Sequence, residues 1–504
     1  MNKDNILDFD GKVRAIRELV APNLDFDVVE NALKGEAEVS VRLNPLKVSV
    51  RLKLDRVPWC GTGYYLRERP GFTFDPWLHA GGYYVQEASS MFLEQVIRQH
   101  VLSSTETSAT PSVIPPRAGN ATPTAAEGSG TPSEAGGETL SEAGSGIPSG
   151  YRRIRALDLC AAPGGKATLL CGALPKGSLV VCNEVVGKRA AVLAENMTKW
   201  GCGDVVVTNS EARAFSGLKG VFDLVVADVP CSGEGMFRKD EGAVAEWSAE
   251  NVEMCRIRQR DIIADVWDAL KPGGVLIYST CTFNRYENED NVAWIARELG
   301  ADVLKVAVEE AWGIKGEYHF FPGYTRGEGF FCAALRKHTD GSDTGVTDGS
   351  GNTVRAGTNA EDDSVGELVA MKEGKEIFAM REEHRGVARK LRLCTKVLQT
   401  GVRLGEETKK GFIPAHAVAL CAERIAGVDY PRVELPYEEA VAYLRGEALR
   451  LSPDVPKGYV IVTFRGLALG FVKNIGSRAN NMYPDGWRIR SSYTRPFSIA
   501  DLHT

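Results

Sequence analysis

The sequence Phe222-Asp-Leu-Val-Val-Ala-Asp-Val-Pro-Cys-Ser-Gly-Glu-Gly235 is an apolar run that leads into a short loop carrying a cysteine. A second stretch, Gly273-Gly-Val-Leu-Ile-Tyr-Ser-Thr-Cys-Thr282, has the same arrangement. Each apolar run is short, rich in β-branched residues and bounded by Gly or Pro, a pattern typical of a fully buried parallel strand. Cys231 and Cys281 are therefore predicted to follow the carboxyl ends of two strands, the edge where open α/β sheets build their sites.

Strands and helices alternate on both sides of these two loops. Apolar runs predict further strands at 155–160, 178–183, 204–208 and 329–335, and helices are predicted at 166–174, 187–200, 248–270 and 287–299. Ser248 is the predicted N-cap of the longest helix. Such alternation predicts an α/β fold with a doubly wound parallel sheet over residues 151–337.

The length of 504 residues predicts more than one domain. An N-terminal α+β domain is predicted over 1–103, with helices within 1–36, strands at 38–43 and 47–54, and a helix at 86–98. Residues 104–150 are almost wholly Ser, Thr, Gly, Pro, Ala and Glu, which predicts a disordered insertion. A polar linker over 338–366 precedes a C-terminal α+β region over 367–504.

Composition argues against several classes of protein. A hydrophobic content of 43% and a charged content of 25% are those of a globular protein in water. Neither a signal peptide nor an apolar run of membrane-spanning length is present in the sequence, so we expect a cytoplasmic protein without membrane contact. The 11 cysteines lie mostly in apolar runs and have no CxxC spacing, which predicts reduced thiols and no metal site.

The last stretch of the chain is basic and aromatic, although the whole chain carries a net charge of -6. Its cations are Lys457, Arg465, Lys473, Arg478, Arg488, Arg490 and Arg495. Tyr483 and Trp487 lie among them, with Asp485 as the acid. Positive charge with aromatic rings that can stack on bases is typical of an RNA-binding module. A solvated charged surface is the alternative, and the contrast with the acidic chain favours RNA binding.

The loop Leu159-Cys-Ala-Ala-Pro-Gly-Gly-Lys166 follows the first strand of the predicted sheet and opens a helix. Glycines let a backbone approach a ligand closely, and a helix N-terminus favours negative charge. The loop matches neither the GxGxxG nor the GxxxxGK[ST] pattern. With Asp158 before it and Glu184 after the second strand, it suits an adenosyl group whose ribose hydroxyls need a carboxylate acceptor. A tight turn without a ligand is the alternative.

The two strand-end cysteines suggest nucleophilic chemistry on a nucleobase. Cytosine is a poor nucleophile at C5, but a thiolate added at C6 makes C5 an enamine-like carbon that can attack a methyl donor. The base also needs an acid at N3, and the thiolate needs activation. Asp228 and Lys166 could supply those groups. We expect Cys231 and Cys281 to face one another across the base.

Three motifs in chain order resemble one known family. Leu157-Asp-Leu-Cys-Ala-Ala-Pro-Gly-Gly-Lys166, Asp228-Val-Pro-Cys-Ser-Gly-Glu-Gly235 and Tyr278-Ser-Thr-Cys-Thr282 look like the signature motifs of the NOL/NOP/Sun RNA cytosine-C5 methyltransferases. In the tail, Leu469-Gly-Phe-Val-Lys473 and Asn480-Asn-Met-Tyr-Pro484 resemble the PUA-like RNA-binding part of the bacterial 16S ribosomal RNA enzymes. The resemblance covers most of the chain outside the two low-complexity segments. It implies a Rossmann-like class I methyltransferase sheet.

The resemblance also implies roles for individual residues. Cys281 would be the nucleophile at C6, and Cys231 would assist release of the methylated RNA, with Asp228 and Lys166 beside them. S-adenosyl-L-methionine would be the cofactor. The residues that would hold it are Cys160, Ala161, Ala162, Pro163, Gly164, Gly165, Lys166, Glu184, Glu211 and Asp228. Glu211 departs from the family, which usually has Asp there, so its contact is in doubt.

The expected partner is RNA, with ribosomal RNA or a small ribosomal subunit favoured and a monomer favoured for the protein itself. Transfer RNA is an alternative substrate for the same chemistry. A catalytically idle RNA-binding ribosome-assembly factor is a second alternative, because a fold does not guarantee chemistry. RNA binding alone would require neither thiol. A methyltransferase for small molecules or proteins would leave the basic tail unexplained.

Overall fold

The computed structural model describes residues 9–20, 24–102, 152–316, 318–339, 366–373, 376–409, 411–491 and 496–503. The predicted disordered insertion at 104–150 lies outside the described residues, as do 340–365 of the predicted linker and Arg495.

The N-terminal part combines short helices with a small antiparallel sheet. Its elements are α1 (Phe9–Leu19), α2 (Phe26–Leu33), β1 (Val39–Leu43), β2 (Gly63–Leu66), α3 (Pro76–His79), β3 (Tyr83–Val85) and α4 (Leu93–Val96). The sheet has the order β2-β1-β3. Asp25 caps α2 by accepting a hydrogen bond from the Asp27 N–H, as short polar residues commonly do at helix starts.

One prediction in this part is wrong and a second has shifted bounds. The predicted strand at 47–54 is a turn and a loop, with a single bridge from Leu52 to His503. Asn44 starts the turn, because its side-chain oxygen accepts the Leu46 N–H at 3.0 Å. The predicted helix at 86–98 begins only with a 3₁₀ turn at Ser89–Phe92 and ends as a π-helix at Ile97–Leu102. Glu87 accepts the N–H groups of Ser89 and Ser90 and so delays the helix start.

The central sheet contains the predicted alternation of strands and helices. Its elements are β4 (Arg155–Asp158), α5 (Gly165–Ala173), β5 (Leu179–Asn183), α6 (Gly187–Trp200), β6 (Val205–Thr208), β7 (Phe222–Asp228), α7 (Glu241–Glu246), α8 (Ala249–Val266), β8 (Leu270–Thr280), α9 (Glu289–Leu299), β9 (Ala301–Leu304), β10 (His319–Phe320) and β11 (Phe330–Lys337). Ser248 caps α8 as predicted, by accepting the Asn251 N–H at 3.1 Å. This helix ends at Val266, and a 3₁₀ turn replaces its predicted last residues.

The strand order is β10-β11-β8-β7-β4-β5-β6, with β9 also paired to β11. Strands β6, β5, β4, β7 and β8 are parallel, and the late strand β11 is antiparallel. Alternate residues of each central strand enter different apolar clusters, as with Val226 on one face and Val225 on the other. Helices cover both faces: α5 and α6 one, α8 and α9 the other. The predicted doubly wound Rossmann-like sheet is confirmed.

The described residues from 366 to 420 form a small four-stranded sheet of their own and add one strand to the edge of the central sheet. Their elements are β12 (Val369–Glu373), β13 (Glu376–Met380), α10 (Arg385–Cys394), β14 (Val397–Thr400), β15 (Val402–Thr408), β16 (Gly411–Pro414) and α11 (His416–Leu420). Strand β14 pairs antiparallel with β6 at the sheet edge, and α10 packs Val387 and Leu391 into the core. Asp204, next to β6, forms a buried ion pair with Arg381.

The last part forms a third small sheet, of four strands in the order β17-β18-β19-β20. Its elements are β17 (Arg432–Glu434), α12 (Tyr437–Leu444), β18 (Gly458–Phe464), β19 (Leu467–Asn474) and β20 (Ala479–Asn481). The turn between β18 and β19 contains Arg465, which has a positive φ of 47°. The apolar face of this sheet shares a core with β1 and α3, so the two ends of the chain pack together.

We predict that Gly81→Ala destabilises the protein by about 3 kcal/mol or more. Gly81 has a φ of +68°, and a Cβ there would lie 1.8 Å from the carbonyl oxygen of Lys199, so the last turn of α6 would have to move. Urea unfolding measures the effect. Gly217→Ala is the matched control, because a Cβ at Gly217 meets nothing within 4 Å. Equal stability of the two variants would contradict this account of the Gly81 turn.

Candidate active site

The carboxyl ends of β4, β7 and β8 lie side by side. Asp158 is in register with Val226, and Asp228 is in register with Ser279. The Ser279 hydroxyl donates to Asp228 Oδ1 at 2.7 Å, and Lys166 Nζ contacts Asp228 Oδ2 at 2.8 Å. The structure therefore brings together three of the predicted groups. They are the glycine loop (159–166), through Lys166, the acid Asp228, and the two cysteine loops, which follow β7 and β8 and carry Cys231 and Cys281.

Cys231 and Cys281 are in direct contact. Their sulfur atoms lie 3.1 Å apart, and the Cys281 N–H donates to Cys231 Sγ at 3.3 Å. The hydrogen bond with Cys281, followed by burial, raises the pKa of the Cys231 thiol well above its ordinary value. Cys231 is therefore a neutral thiol at neutral pH and can donate to the sulfur of Cys281.

The expectation that the two cysteines face one another across a base needs correction. A sulfur–sulfur separation of 3.1 Å leaves no room for a nucleobase between them. For a base to bind, either the two sulfur atoms must move apart or both must lie on the same side of the base.

Lys166 lies between the two cysteine loops and the glycine loop. Its ammonium is 5.1 Å from the centre of the Phe330 ring, and its side chain is 13% exposed. Burial lowers the pKa of Lys166, but the carboxylates of Asp228 and Asp158 outweigh burial and the net shift is upward. Lys166 is therefore a fixed positive charge beside the cysteines.

The glycine loop wraps the N-terminus of α5. Gly164 precedes the helix with a φ of +121°, a value that favours glycine. Helix α6 holds the loop from outside: the Asn196 amide donates to the Pro163 carbonyl at 2.8 Å, and Arg189 donates to the Ala162 carbonyl at 2.9 Å. Cys160 lies at the start of the loop, where burial raises the pKa of its thiol.

Asp158 is a buried acid without a partner. It is fully buried, and neither of its carboxyl oxygens has a hydrogen-bond partner. Burial raises the pKa of Asp158 to about 8, the charge of Lys166 opposes that rise, and Asp228 and Glu184 add to it. A buried carboxyl without a partner suits a ligand group that donates hydrogen bonds or carries positive charge, as expected for the amino group of S-adenosyl-L-methionine.

Glu184 and Glu211 are the other two acids predicted to contact the cofactor, and their surroundings differ. Glu184 is buried, and its oxygens are engaged by the Val186 N–H at 2.8 Å and by Arg189 at 3.4 Å. Glu211 is 60% exposed and forms an ion pair with Arg213 at 2.7 Å. The cofactor contacts of both acids stay predictions, and that of Glu211 would require it to turn away from Arg213.

Several residues that organise the site were missed from the sequence. Asn183 links three loops by donating to the carbonyls of Leu159 and Ser210 and accepting from Thr208. Arg42 of β1 is buried and donates to the Gly165 carbonyl and the Thr168 hydroxyl of α5. A lone arginine between apolar residues in Val41-Arg-Leu43 was the available signal.

Glu234 and Glu287 were missed as well. Both are fully buried, although each lies within six residues of a site cysteine. Glu234 was visible within the Pro-Cys motif, and Glu287 as an acid following the Thr-Cys-Thr motif.

The basic tail differs from the prediction. Tyr483 is only 2% exposed, and its hydroxyl contacts His79 Nδ1 at 3.0 Å. The half-buried Trp487 packs against His416, and Lys199 Nζ lies 4.8 Å from its ring centre. Their interpretation as base-stacking residues is wrong, because both rings join the C-terminal sheet to the rest of the protein. Tyr459 and the exposed Lys473 instead form a cation–π pair at 5.2 Å.

The described residues also lack two structural features. They contain no group of three or more His, Cys, Asp or Glu that could hold a metal ion. Among the same residues, no helix has the length and apolar character needed to cross a membrane.

Three protein-family models match this chain. The model described as 16S rRNA methyltransferase RsmB/F matches residues 152–336. The N-terminal domain of 16S rRNA methyltransferase RsmF matches 13–88, and the methyltransferase RsmF PUA domain matches 430–489. Together with the sheet and the glycine loop, these matches define an S-adenosyl-L-methionine-dependent methyltransferase of the Rossmann-like class with a PUA domain.

Curated relatives match along nearly the whole chain. Ribosomal RNA small subunit methyltransferase F from Aliivibrio salmonicida is 30% identical over 515 residues, covering 95% of this chain and 98% of that protein. The protein of the same name from Enterobacter sp. (strain 638) is 29% identical over 515 residues, covering 93% of each. The chain belongs to the 16S ribosomal RNA methyltransferase F family, which confirms the resemblance predicted from its three motifs.

Solved structures are also similar. NSun6 from Pyrococcus horikoshii, crystallised with SFG, is 18% identical with a TM-score of 0.47, covering 65% of this chain and 98% of that one. A methyltransferase homologue from Pyrococcus horikoshii is 20% identical with a TM-score of 0.47, covering 64% of this chain and 93% of that one.

We predict that Asp158→Asn flattens the pH dependence of stability. The pKa of Asp158 is about 8 in the folded protein against an ordinary 3.8, so the folded state binds this proton more tightly and loses stability as pH rises from about 4 to 8. Without cofactor, the variant should be more stable than wild type at pH 8 by about 5 kcal/mol and nearly equal to it at pH 4.

Urea unfolding at the two pH values provides the measurement, with the exposed Asp268→Asn as the control. Some pH dependence should remain in the variant, because burial also raises the pKa of Glu287 to about 7 and that of Asp75 to about 6. A variant with the full wild-type pH dependence would refute the assignment to Asp158.

Proposed function

We propose that this protein methylates C5 of a cytosine in 16S ribosomal RNA through a covalent bond between Cys281 and C6 of the base. The observation that carries the proposal is the contact of Cys231 and Cys281, 3.1 Å apart, beside the Lys166–Asp228 pair at the glycine loop. The names of the curated relatives support ribosomal RNA of the small subunit as the substrate.

The cofactor would be held by residues at four strand ends. Cys160 to Lys166 would surround it at the N-terminus of α5, and Asp158 offers a carboxyl without a partner. Glu184, Glu211 and Asp228 are the further acids proposed to contact it. Bound S-adenosyl-L-methionine supplies an electrophilic methyl group.

The first step is addition to the base. The Cys281 sulfur bonds to C6, and the electrons of the C5–C6 double bond move toward C5 and the N3–O2 side of the ring. Asp228, in its protonated form, would donate a hydrogen bond to N3, and the Lys166 ammonium at 2.8 Å from Asp228 keeps that carboxyl oriented and favours the developing negative charge. C5 can then take the methyl group.

The second step is release. A base removes the C5 proton, the electrons of the C5–H bond restore the C5–C6 double bond, and the S–C6 bond breaks with its electrons leaving on the Cys281 sulfur. Once Cys281 is bonded to carbon, Cys231 no longer donates to a free sulfur. Its proximity suits the proposed role in assisting this elimination.

The target cytosine must leave its stack to reach Cys281, so we expect a single-stranded or flipped base. Three further properties stay predictions. The enzyme would be cytoplasmic, it would be a monomer, and it would act on this RNA either free or within a small ribosomal subunit. Transfer RNA and an idle assembly factor are the competing outcomes of the tests below.

We predict that Cys281→Ala abolishes methyl transfer, because no thiolate can then add to C6, while cofactor affinity stays within about twofold.

Cys231→Ala should instead trap a protein–RNA adduct that survives a denaturing gel. Labelled methyl transfer and gel mobility measure the two effects. Cys394→Ser, a half-buried cysteine of α10, is the control. Full turnover by Cys281→Ala would disprove the mechanism.

Bisulfite sequencing of RNA from cells with and without the gene identifies the substrate. We expect one or a few protected cytosines in 16S ribosomal RNA to be lost. Loss in transfer RNA would keep the chemistry and change the substrate. Absence of any lost site would favour the idle factor.

We predict that Lys473→Ala with Arg478→Ala weakens RNA binding and lowers its salt dependence by about one unit of log–log slope for each lost phosphate contact. Both cations are exposed in the C-terminal sheet: Lys473 Nζ lies 5.2 Å from the Tyr459 ring centre, and Arg478 lies in the turn before β20. Arg465→Ala is the control, because Arg465 lies at the opposite end of the β18–β19 hairpin and pairs with Asp501. Filter binding across a salt series measures both quantities. Equal losses in both variants would assign the RNA surface elsewhere.

A further inference from the structure

Two buried glutamates connect the cysteine loops. Glu234 follows Cys231 on the loop after β7, and Glu287 follows Cys281 after β8. Both are fully buried, and neither is among the residues proposed above to touch cofactor or base.

Each glutamate accepts backbone hydrogen bonds from the other cysteine's loop. Glu234 Oε2 accepts the N–H groups of Phe283 and Asn284 at 2.7 and 2.9 Å, just after Cys281. Glu287 Oε2 accepts the N–H of Ser232 at 3.1 Å, just after Cys231. The two contacts are reciprocal, so neither loop can move away without leaving a buried carboxylate unsatisfied.

Side chains also donate hydrogen bonds to the two carboxylates and hold them in place. The Asn284 amide donates to Glu234 Oε1 at 2.9 Å and to Glu287 Oε1 at 2.8 Å. Trp247 Nε1 donates to Glu234 at 3.0 Å, and the Gln259 amide of α8 donates to Glu287 at 2.7 Å. With every acceptor used, the network is rigid, because unpaired buried polar groups are costly.

The acids are close enough to influence one another. Burial, and then the charge of Glu234, raise the pKa of Glu287 to about 7, while the hydrogen bonds from Ser232, Asn284 and Gln259 oppose the rise. Burying two neighbouring carboxyls without a cationic partner costs stability even when their oxygens accept hydrogen bonds. Their placement therefore points to a purpose other than stability.

We propose that Glu234 and Glu287 are positioning residues whose reciprocal contacts hold Cys231 and Cys281 at the separation that nucleophilic attack and release require. The inference rests on the proposed function for its consequence in catalysis. Reaction rates fall about a hundredfold when a reacting group is misplaced by ~1 Å, so a loose pair of loops would be costly.

The first test measures the thiol separation without RNA or cofactor. Diamide, a diazene oxidant, takes two electrons and two protons from neighbouring thiols to form a disulfide and a hydrazine. We expect wild type to form the Cys231–Cys281 disulfide readily, and Glu287→Gln and Glu234→Gln to form it about tenfold more slowly, because an amide NH₂ would face N–H donors. Peptide mapping by mass spectrometry identifies the bond.

Two further variants complete this test. Glu253→Gln is the control, since Glu253 lies on α8 but is 51% exposed and pairs with Arg256. Thr282→Val is a milder variant in case the glutamine variants do not fold. It removes the 2.9 Å contact between the Thr282 and Ser232 hydroxyls without changing charge. It should therefore also slow disulfide formation, as the glutamine variants do.

The second test measures single-turnover methyl transfer. The glutamine variants should lose about tenfold or more in rate while KM for RNA and cofactor affinity change less than about twofold. Wild-type disulfide and methylation rates in folded Glu287→Gln and Glu234→Gln would overturn the proposal. If no RNA is methylated by wild type but disulfide formation still depends on the glutamates, the proposed function fails and the positioning role stands.

Discussion

The site depends on the parallel pairing of β7 with β8. In that register Asp228 lies opposite Ser279 and receives its hydroxyl at 2.7 Å, and the Val229 N–H donates to the Ser279 carbonyl at 3.1 Å. Both cysteine loops leave the sheet within three residues of this pair. A shift of one residue would turn every side chain of β8 to the other face and separate Cys281 from Cys231.

The N-terminal sheet also contributes to the cofactor side of the site. Arg42 reaches from β1 to the first turn of α5, with its guanidinium 4.7 Å from the Trp200 ring and bonded to the Gln86 amide oxygen at 2.7 Å. Burial lowers the pKa of Arg42 to about 10, yet it stays charged at neutral pH. A charge held this deeply links the position of the N-terminal sheet to that of the glycine loop.

The C-terminal sheet is anchored as firmly on the opposite side. His79 and Tyr483 connect α3 to the segment after β20, and Lys47 donates to the carbonyls of Ala80 and Lys199 at 2.7 Å. Burial lowers the pKa of Lys47 to about 7. Tyr483 and Trp487 are thereby used for packing, whereas the exposed Lys473 forms a cation–π pair with the half-buried Tyr459 of that sheet.

The sequence by itself determined the sheet, the order of its strands along the chain and the loops that carry Lys166, Asp228, Cys231 and Cys281. Apolar strands and glycine turns are local patterns, and local patterns are legible without coordinates. Contacts between distant segments are not. Only the tertiary structure decided that Glu234 and Glu287 each hydrogen-bond to a loop about 50 residues away in the chain. It also decided that Arg42 donates to the glycine loop and that Tyr483 is buried. A buried charge or ring looks the same in sequence as an exposed one, because burial depends on what the rest of the chain brings against it.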